Sequence, residues 1–578
     1  MPHRTTALLW RAFLAAALVC AVGLLPWLTR TDPALTVLKA RSAERDPDPE
    51  VLAAVRTQLD LEDGPLRLLG HWLGGLPRGD AGHSWISGAE VMPGVLQALG
   101  ASLLLMGAAA VVAVATAGLV CTRTLRRGGR TAGRSGGTGS AVLAALPEFL
   151  TASVLATVVG VQLGWLPALG WYGPRWMVLP ALALGLPAGA VLGRLLDDLL
   201  PGAFAEPWVR AAAARGLPGR RIARQAVRRC LPGLLPNMGL FVVGLTGGAV
   251  AVEQIFDIPG LGRTTLQAAL AQDLPVLQAG TLALLLLAAV AAGLCHLAAR
   301  LLVGPALRAD ALPSLHRPST STARRTEPLV YGAFLLAVVA LGLPRDPLAL
   351  DTALRLQHPT WAHPFGTDAL GRDLLARVAH GAVDTLLLAL AISAVALGTG
   401  VLLGLLPRLS GPLADTVNAL PPVLAALLVT AVAGNGSTTP ALAVAALAWT
   451  PLAAHTSALL RQERATLHVT ATRGLGAGRW HLLRHALLPA VLPPVARHAL
   501  LRLPGVALAL ASLGFLGLGA QPPSPEWGLL LAENQPYAER APWAVLAPAA
   551  VLALLGALAV TAAGNMQGTN ARRELAAR

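Results

Sequence analysis

The sequence predicts an all-α polytopic membrane protein with about 12 transmembrane helices in two parallel six-helix repeats. Three observations carry this. The 578 residues are 54% hydrophobic and only 13% charged, whereas soluble domains run near a quarter charged. Twelve apolar stretches approach the roughly 20 residues that cross the hydrocarbon core as a helix. Arginine-rich connections follow stretches two, four, six and ten, all on one side by the positive-inside rule.

The stretches fall near 7–28, 95–121, 141–165, 176–196, 231–252 and 276–299 in the first half. In the second half they fall near 327–344, 383–406, 415–433, 439–459, 488–513 and 542–564. The first follows Arg4 and resembles a signal peptide, but polar Thr29 to Asp32 follow it where a small-residue cleavage site would stand. It reads as a retained span. Arginines crowd the connections after spans two, four, six and ten, among them Arg123, Arg126, Arg210, Arg215, Arg300, Arg461 and Arg473. That side is expected to be cytoplasmic, with both termini there, in a multi-pass protein of a bacterial inner membrane.

This arrangement divides the chain into a first half, 1–302, a linker, 303–326, and a second half, 327–578. The first half has an external loop at 29–94, with an amphipathic helix near Pro49–Leu61, and a cytoplasmic loop at about 200–230. The second has an external loop at 345–382 and a cytoplasmic loop at about 460–487. The linker is rich in Pro, Ser, Thr and Arg.

Several chemistries are excluded. The net charge of +15 comes from short clusters between apolar runs, so the lipid bilayer and not nucleic acid is the expected partner. Cys20, Cys121, Cys230 and Cys295 show no close pairing and read as small apolar residues. There is no G-x-x-x-x-G-K-[ST] phosphate loop, G-x-S-x-G elbow or H-E-x-x-H motif, so nothing marks an enzyme. His358 and His363 read as loop residues; His481, His485 and His498 read as residues of a headgroup interface. Ionisable residues inside spans are few; Asp384 near the start of span eight is one candidate.

Two polar segments between spans resemble each other: Val209-Arg210 through Arg215-Gly216-Leu217, and Val469-Thr470 through Arg473 to Gly476-Ala477. Their glycines are 260 residues apart. A later pair, Gly260-Leu261-Gly262 and Gly517-Leu518-Gly519, is 257 apart. Six spans per half is an even number, so both halves enter the membrane in the same direction.

At these residues the chain resembles the permeases of binding-protein-dependent ABC importers, in the dipeptide, oligopeptide and nickel group. Val252-Glu253 through Pro259-Gly260-Leu261-Gly262-Arg263, with Leu59-Asp-Leu61 to Arg78-Gly79-Asp80, is similar to one permease type. His363-Pro-Phe-Gly366-Thr367-Asp368 to Asp373, with Ser512 to Gly528, is similar to the other. The chain looks like both types fused. The resemblance implies a type I importer permease that moves peptides, or small solutes such as nickel chelates or opines, inward. It implies coupling loops that dock on two cytoplasmic ABC ATPase subunits, through Glu206, Arg210, Arg215 and Gly216 in the first half and Glu463, Arg473 and Gly476 in the second. It implies external signatures at Glu253, Gly260, Gly262, Gly366, Asp368, Gly517 and Gly519, and an external substrate-binding protein or lipoprotein. No cofactor is expected on this chain; ATP and magnesium belong to the partner subunits. Alanines suit a thin stable helix, and a terminal glycine suits the left-handed cap.

The sequence departs from the pattern in three places. Ala213 and Thr470 stand where the family tends to carry arginine, and the 257-residue spacing puts Leu510 opposite Glu253. The rival reading is a 12-span secondary transporter driven by an ion gradient. It would need carboxylates deep in the spans.

Overall fold

The computed structural model describes residues 2–29, 34–35, 38, 49–58, 64–127, 138–303, 326–406, 411, 413–414, 417–418, 421–434, 436 and 438–576. The linker 304–325, the Leu59–Leu61 part of the external pattern and Arg130 and Arg134 lie outside the described residues.

All twelve apolar stretches carry helix. Seven helices among the described residues are long and apolar enough to cross a membrane: Val91–Arg127, Pro174–Ala205, Leu274–Cys295, Leu374–Gly404, Thr439–Arg464, Arg479–Phe515 and Pro542–Ala562. Three apolar helices are shorter, Glu148–Gln162, Thr326–Gly342 and Pro422–Ala433. The stretches at 7–28 and 231–252 lie in the helices Pro2–Gly23 and Gly219–Ile255.

Two stretches differ from the expected single spans. The one at 141–165 is divided into Thr138–Ala145 and Glu148–Leu155, continued by a π-helical segment Ala156–Gln162. Pro147 takes extended angles there, because proline has no N–H to donate and crowds the residue before it out of the helical region. In the stretch at 415–433 the long helix begins only at Pro422, with Pro421 extended before it. Proline at the first helical position is already set for helix and has no N–H to leave unpaired. Helices Pro174–Ala205 and Pro207–Ala214 begin the same way.

The residues form two compact units: 1–96 with 264–283 and 381–529, and 97–263 with 284–380 and 530–578. Each unit draws on both halves of the sequence. In the second unit, Gly185, Gly189 and Gly193 line one face of Pro174–Ala205. A Cβ at any of them would overlap Val112, Ala113 or Ala117 and their neighbours on Val91–Arg127. In the first unit the corresponding pair of spans packs the same way with the glycines on the other partner. Gly400 and Gly404 of Leu374–Gly404 sit against Leu452, Ala453 and Thr456 of Thr439–Arg464. Bilayer helices gain nothing by hiding apolar surface from lipid, so close backbone approach through small residues takes over as the packing force.

Candidate functional site

The two polar loops fold alike. In the first, Pro207–Ala214 is a short helix entered from an extended Glu206. It closes with Gly216 N–H donating to Ala213 O (3.0 Å) and Leu217 N–H to Ala212 O (3.1 Å). In the second, Leu467–Gly474 is entered from an extended Thr466. It closes with Gly476 N–H donating to Arg473 O (3.0 Å) and Ala477 N–H to Thr472 O (3.3 Å). These are paired Schellman caps, every bond shifted by 260 residues. Gly216 and Gly476 have φ of +74° and +91°, the left-handed region that favours glycine.

Each loop rests on its own apolar cluster. Val209 and Trp208 pack on buried Leu200, Ala203, Phe204 and Ala226. Val469 is buried with Leu460, Leu482, Leu487 and Val491. Arg210, Arg215, Gly216, Arg473 and Gly476 are exposed, and a Cβ at either glycine would meet nothing. Each loop is thus a firmly seated knob with a free, mostly small and cationic surface.

The register also sorts the charged residues. Glu206 sits at the helix start with Arg229 Nε 2.6 Å from its Oε2. Its counterpart at the 260-residue offset is Thr466. Glu463 lies in the last turn of Thr439–Arg464, where its carbonyl accepts from Thr466 N–H (3.0 Å) and Oγ1 (2.7 Å). The two glutamates are therefore not counterparts. Arg215 matches Leu475, which is 89% exposed, and Arg473 matches Ala213.

The same offset, and not 257, governs the other ends of the following helices. Gly219–Ile255 closes with Ile258 N–H donating to Glu253 O (2.9 Å), and the helix ending at Phe515 with Leu518 N–H donating to Leu513 O (3.1 Å). Gly517 (φ +75°) therefore corresponds to Asp257 (φ +57°), and Glu253 to Leu513. The recurrence of Gly-Leu-Gly is a three-residue slip between glycines with different tasks. Gly260 and Gly262 crowd the Glu253 carboxylate, whereas Gly517 supplies the left-handed cap and Gly519 packs on Gly514 and Pro440.

Both ends nevertheless hold a buried carboxylate at the start of a short helix. Glu253 Oε1 accepts from Ser102 Oγ (2.6 Å) and Oε2 from Arg263 N–H (2.9 Å), while Ser102 Oγ accepts from Leu261 N–H (2.8 Å). This serves helix Leu261–Ala271. For helix Trp527–Asn534 the group is Glu526, which accepts from Gly528 N–H and Leu529 N–H, each at 2.9 Å. It lies against Gly514, where a Cβ would overlap it. Burial pushes the Glu526 carboxyl up to about 7, opposed by those two backbone donors. Free N–H groups at a helix start attract negative charge, so one solution is reached from two directions, once from the preceding helix and once from the loop.

A further carboxylate at the end of each short helix, again 260 residues apart, clasps a segment of the loop expected to be external. Asp273 accepts from Ser84 Oγ and from Trp85 N–H (3.1 Å). Glu533 Oε2 accepts from Arg377 Nη1 (2.8 Å) and Arg372 Nη2 (3.2 Å). Asp368 joins the second clasp, its Oδ2 2.7 Å from Arg372 Nε and 2.9 Å from Arg377 Nη1. Asp368 Oδ1 accepts from Leu370 and Arg372 N–H, each at 2.9 Å, closing an Asx turn. Asp373 starts helix Leu374–Gly404, accepting from Leu375 N–H (2.8 Å), and also pairs with Arg345 (2.7 Å) and His363 (3.2 Å). Gly366 and Gly371 take positive φ, and a Cβ would overlap Trp543 at the first and the Asp351 carbonyl at the second. His358 stands edge-on to the Trp543 ring.

The structure thus gathers Gly366 and Asp368 in one clasp and Glu253, Gly260 and Gly262 in another, leaves Arg210, Arg215, Gly216, Arg473 and Gly476 on the surface and half-buries Glu206 and Glu463. Sequence reasoning missed Ser84, Ser102, Asp273, Arg377, Glu526 and Glu533. Asp273 and Glu533 were within reach of the 260-residue offset. Ser84, Ser102 and Arg377 pair with Asp273, Glu253 and Glu533 across 189, 151 and 156 residues, which no local pattern marks, whereas Glu526 bonds only to the helix start beside it.

The model of the family described as binding-protein-dependent transport system inner membrane component matches residues 97–308 and again 392–567. The chain belongs to that family. Each match takes in one knob and the short helix that follows it. The chain is a permease component of a binding-protein-dependent importer and a multi-pass inner-membrane protein. It is similar to the di/tripeptide transport system permease protein DppC of Pseudomonas aeruginosa, 37% identical over 224 residues, 35% of this chain and 74% of the relative. The probable D,D-dipeptide transport system permease protein DdpC of Escherichia coli is 36% identical over 203 residues, 33% of this chain and 67% of the relative. A putative peptide permease protein of Brucella suis is 34% identical over 206 residues, 34% and 68%. One relative therefore spans about a third of this permease, while the family model fits it twice.

Proposed function

We propose that this chain supplies both halves of a peptide-importing ABC permease, with its two knobs as the docking points for two cytoplasmic ATPase subunits. The carrying observation is the pair of exposed loops with one hydrogen-bond register, 260 residues apart, each ending on a left-handed glycine. Two like knobs suit a motor with two like sockets. The names of the relatives support peptides over nickel chelates or opines. The arginine-rich connections support cytoplasmic knobs and termini.

In this reading Arg210, Arg215 and Arg473 donate charge-assisted hydrogen bonds to the sockets, and Gly216 and Gly476 let each knob seat without a side chain at its tip. Glu206 orients the first knob through Arg229, and Glu463 anchors the entry of the second through its carbonyl. A substrate-binding protein docks outside on the segments held by Asp273 and by Asp368 with Glu533. ATP and magnesium act on the partner subunits and pull the knobs together. The permease halves then exchange inward- and outward-open states.

The test is Gly216→Val with Gly476→Val in the whole transporter. ATP-dependent peptide uptake should fall below a tenth of wild type, with membrane insertion unchanged. Wild-type uptake in the double variant would remove the docking role. Uptake by the wild-type transporter that ignored ATP but collapsed with the ion gradient would remove the ABC reading.

A further inference from the structure

His498 of helix Leu488–Phe515 was expected at a headgroup interface, and the structure gives it a partner. His498 faces His455 of helix Thr439–Arg464, ring centroids 4.9 Å apart, and Arg502 lies one turn further along, within Coulombic reach of His498. Both helices are long and apolar enough to span the membrane. At 1.5 Å per residue, Arg502 is about 20 Å from the Phe515 end and His498 about 26 Å. A hydrocarbon core of about 30 Å starting at that end leaves Arg502 about 10 Å, and His498 about 4 Å, inside its other face. Leu452, Val495 and Ala499 are buried in one apolar cluster that holds the two helices together, so the rings meet on a fixed frame.

Arg502 is exposed and the two histidines are half-buried. An exposed guanidinium at that depth costs several kcal/mol against lipid, and such groups face water-filled cavities instead. Two imidazoles and a guanidinium present only donors or neutral acceptors to that water. Their combined preference is for an anion with in-plane lone pairs, which a carboxylate offers to the guanidinium fork.

We propose that His455, His498 and Arg502 form a cationic way-station on the transport path of the second half, and that it takes a carboxylate of the solute in transit. The site rests on the reading of the chain as a peptide permease, since every free peptide carries a terminal carboxylate. A single guanidinium flanked by imidazoles, still open to water, holds the anion and also lets it leave.

The experiment uses the full chain with His455→Cys in vesicles of neutral phosphatidylcholine, which carry no anionic headgroup. The rates of thiol modification by an anionic sulfonatoethyl and a cationic trimethylammonioethyl methanethiosulfonate are compared, after subtracting the chain that retains His455. Both reagents should react, because the site is wet. The anion-to-cation rate ratio should fall about tenfold with Arg502→Gln, the scale of one unit charge a few ångströms away in partly aqueous surroundings. It should be kept by Arg502→Lys. No reaction with either reagent would show a lipid-facing or dry site and overturn the proposal, as would a ratio that ignores Arg502→Gln. Either failure leaves the permease reading standing, because ATP-dependent uptake decides that separately.

Discussion

Removing the Arg377 guanidinium should destabilise the outer end of the second half more than almost any other single truncation. The side chain is 0% exposed, and Nη1 reaches both Asp368 Oδ2 (2.9 Å) and Glu533 Oε2 (2.8 Å). Arg372 contacts the same two oxygens, so two cations face two anions. At an effective dielectric near 20, unit charges about 4 Å apart attract by about 4 kcal/mol before desolvation. Arg377→Met leaves two carboxylates facing Arg372 alone, and breaking a buried pair from one side costs about 3–5 kcal/mol. Arg377→Met with Glu533→Gln restores the balance of one cation to one anion, so the double variant should recover at least about 1.5 kcal/mol relative to the sum of the single effects. The assay is denaturant unfolding of the purified chain in detergent, run on both singles and the double. The reasoning fails if Arg377→Met costs less than about 1 kcal/mol, or if the two substitutions simply add.

Other outcomes follow from the same structure. Glu526 binds its proton more tightly folded than unfolded, with a pKa near 7 in place of 4.5. Its contribution is whole below about pH 4.5 and lost as pH rises through 7, a fall of about 3 kcal/mol; Glu526→Gln should flatten that part of the stability–pH curve, and an unchanged slope would refute it. Gly371→Ala meets both a left-handed backbone and the Asp351 carbonyl, whereas Gly517→Ala meets the backbone penalty alone, about 1–2 kcal/mol. Unfolding midpoints should separate the two, and equal losses would mean that the overlap is relieved. Ser102→Ala removes a donor to Glu253 and an acceptor for Leu261 N–H, and should cost about 1–3 kcal/mol in the same assay.

The membrane class, the approximate spans and the existence of two like halves were legible in the sequence, because bilayer thickness and the charge rule act on local composition. Gly216 and Gly476 were legible too, since a left-handed helix cap is a local demand. The register of the repeat was legible only in part. Gly216 and Gly476 stand 260 apart, but counting Gly-Leu-Gly motifs suggested 257 further on, where the hydrogen bonds at Ile258 and Leu518 establish 260. Composition cannot tell a glycine that crowds a carboxylate from one that caps a helix. Pro147 announced a break, but an apolar run of ordinary length concealed it.

What the sequence by itself determined is the set of elements that each depend on a few neighbouring residues: apolar spans, proline starts and glycine caps. Tertiary structure alone decided which carboxylate serves which helix, how Asp368, Arg372, Arg377 and Glu533 balance one another, and that His455 faces His498. The physical reason is range. Caps and spans are set by the chain's own backbone within a turn or two. Charge balance and burial are set by whichever distant segment folds alongside, and here Ser102 meets Glu253 across 151 residues and Arg372 meets Glu533 across 161.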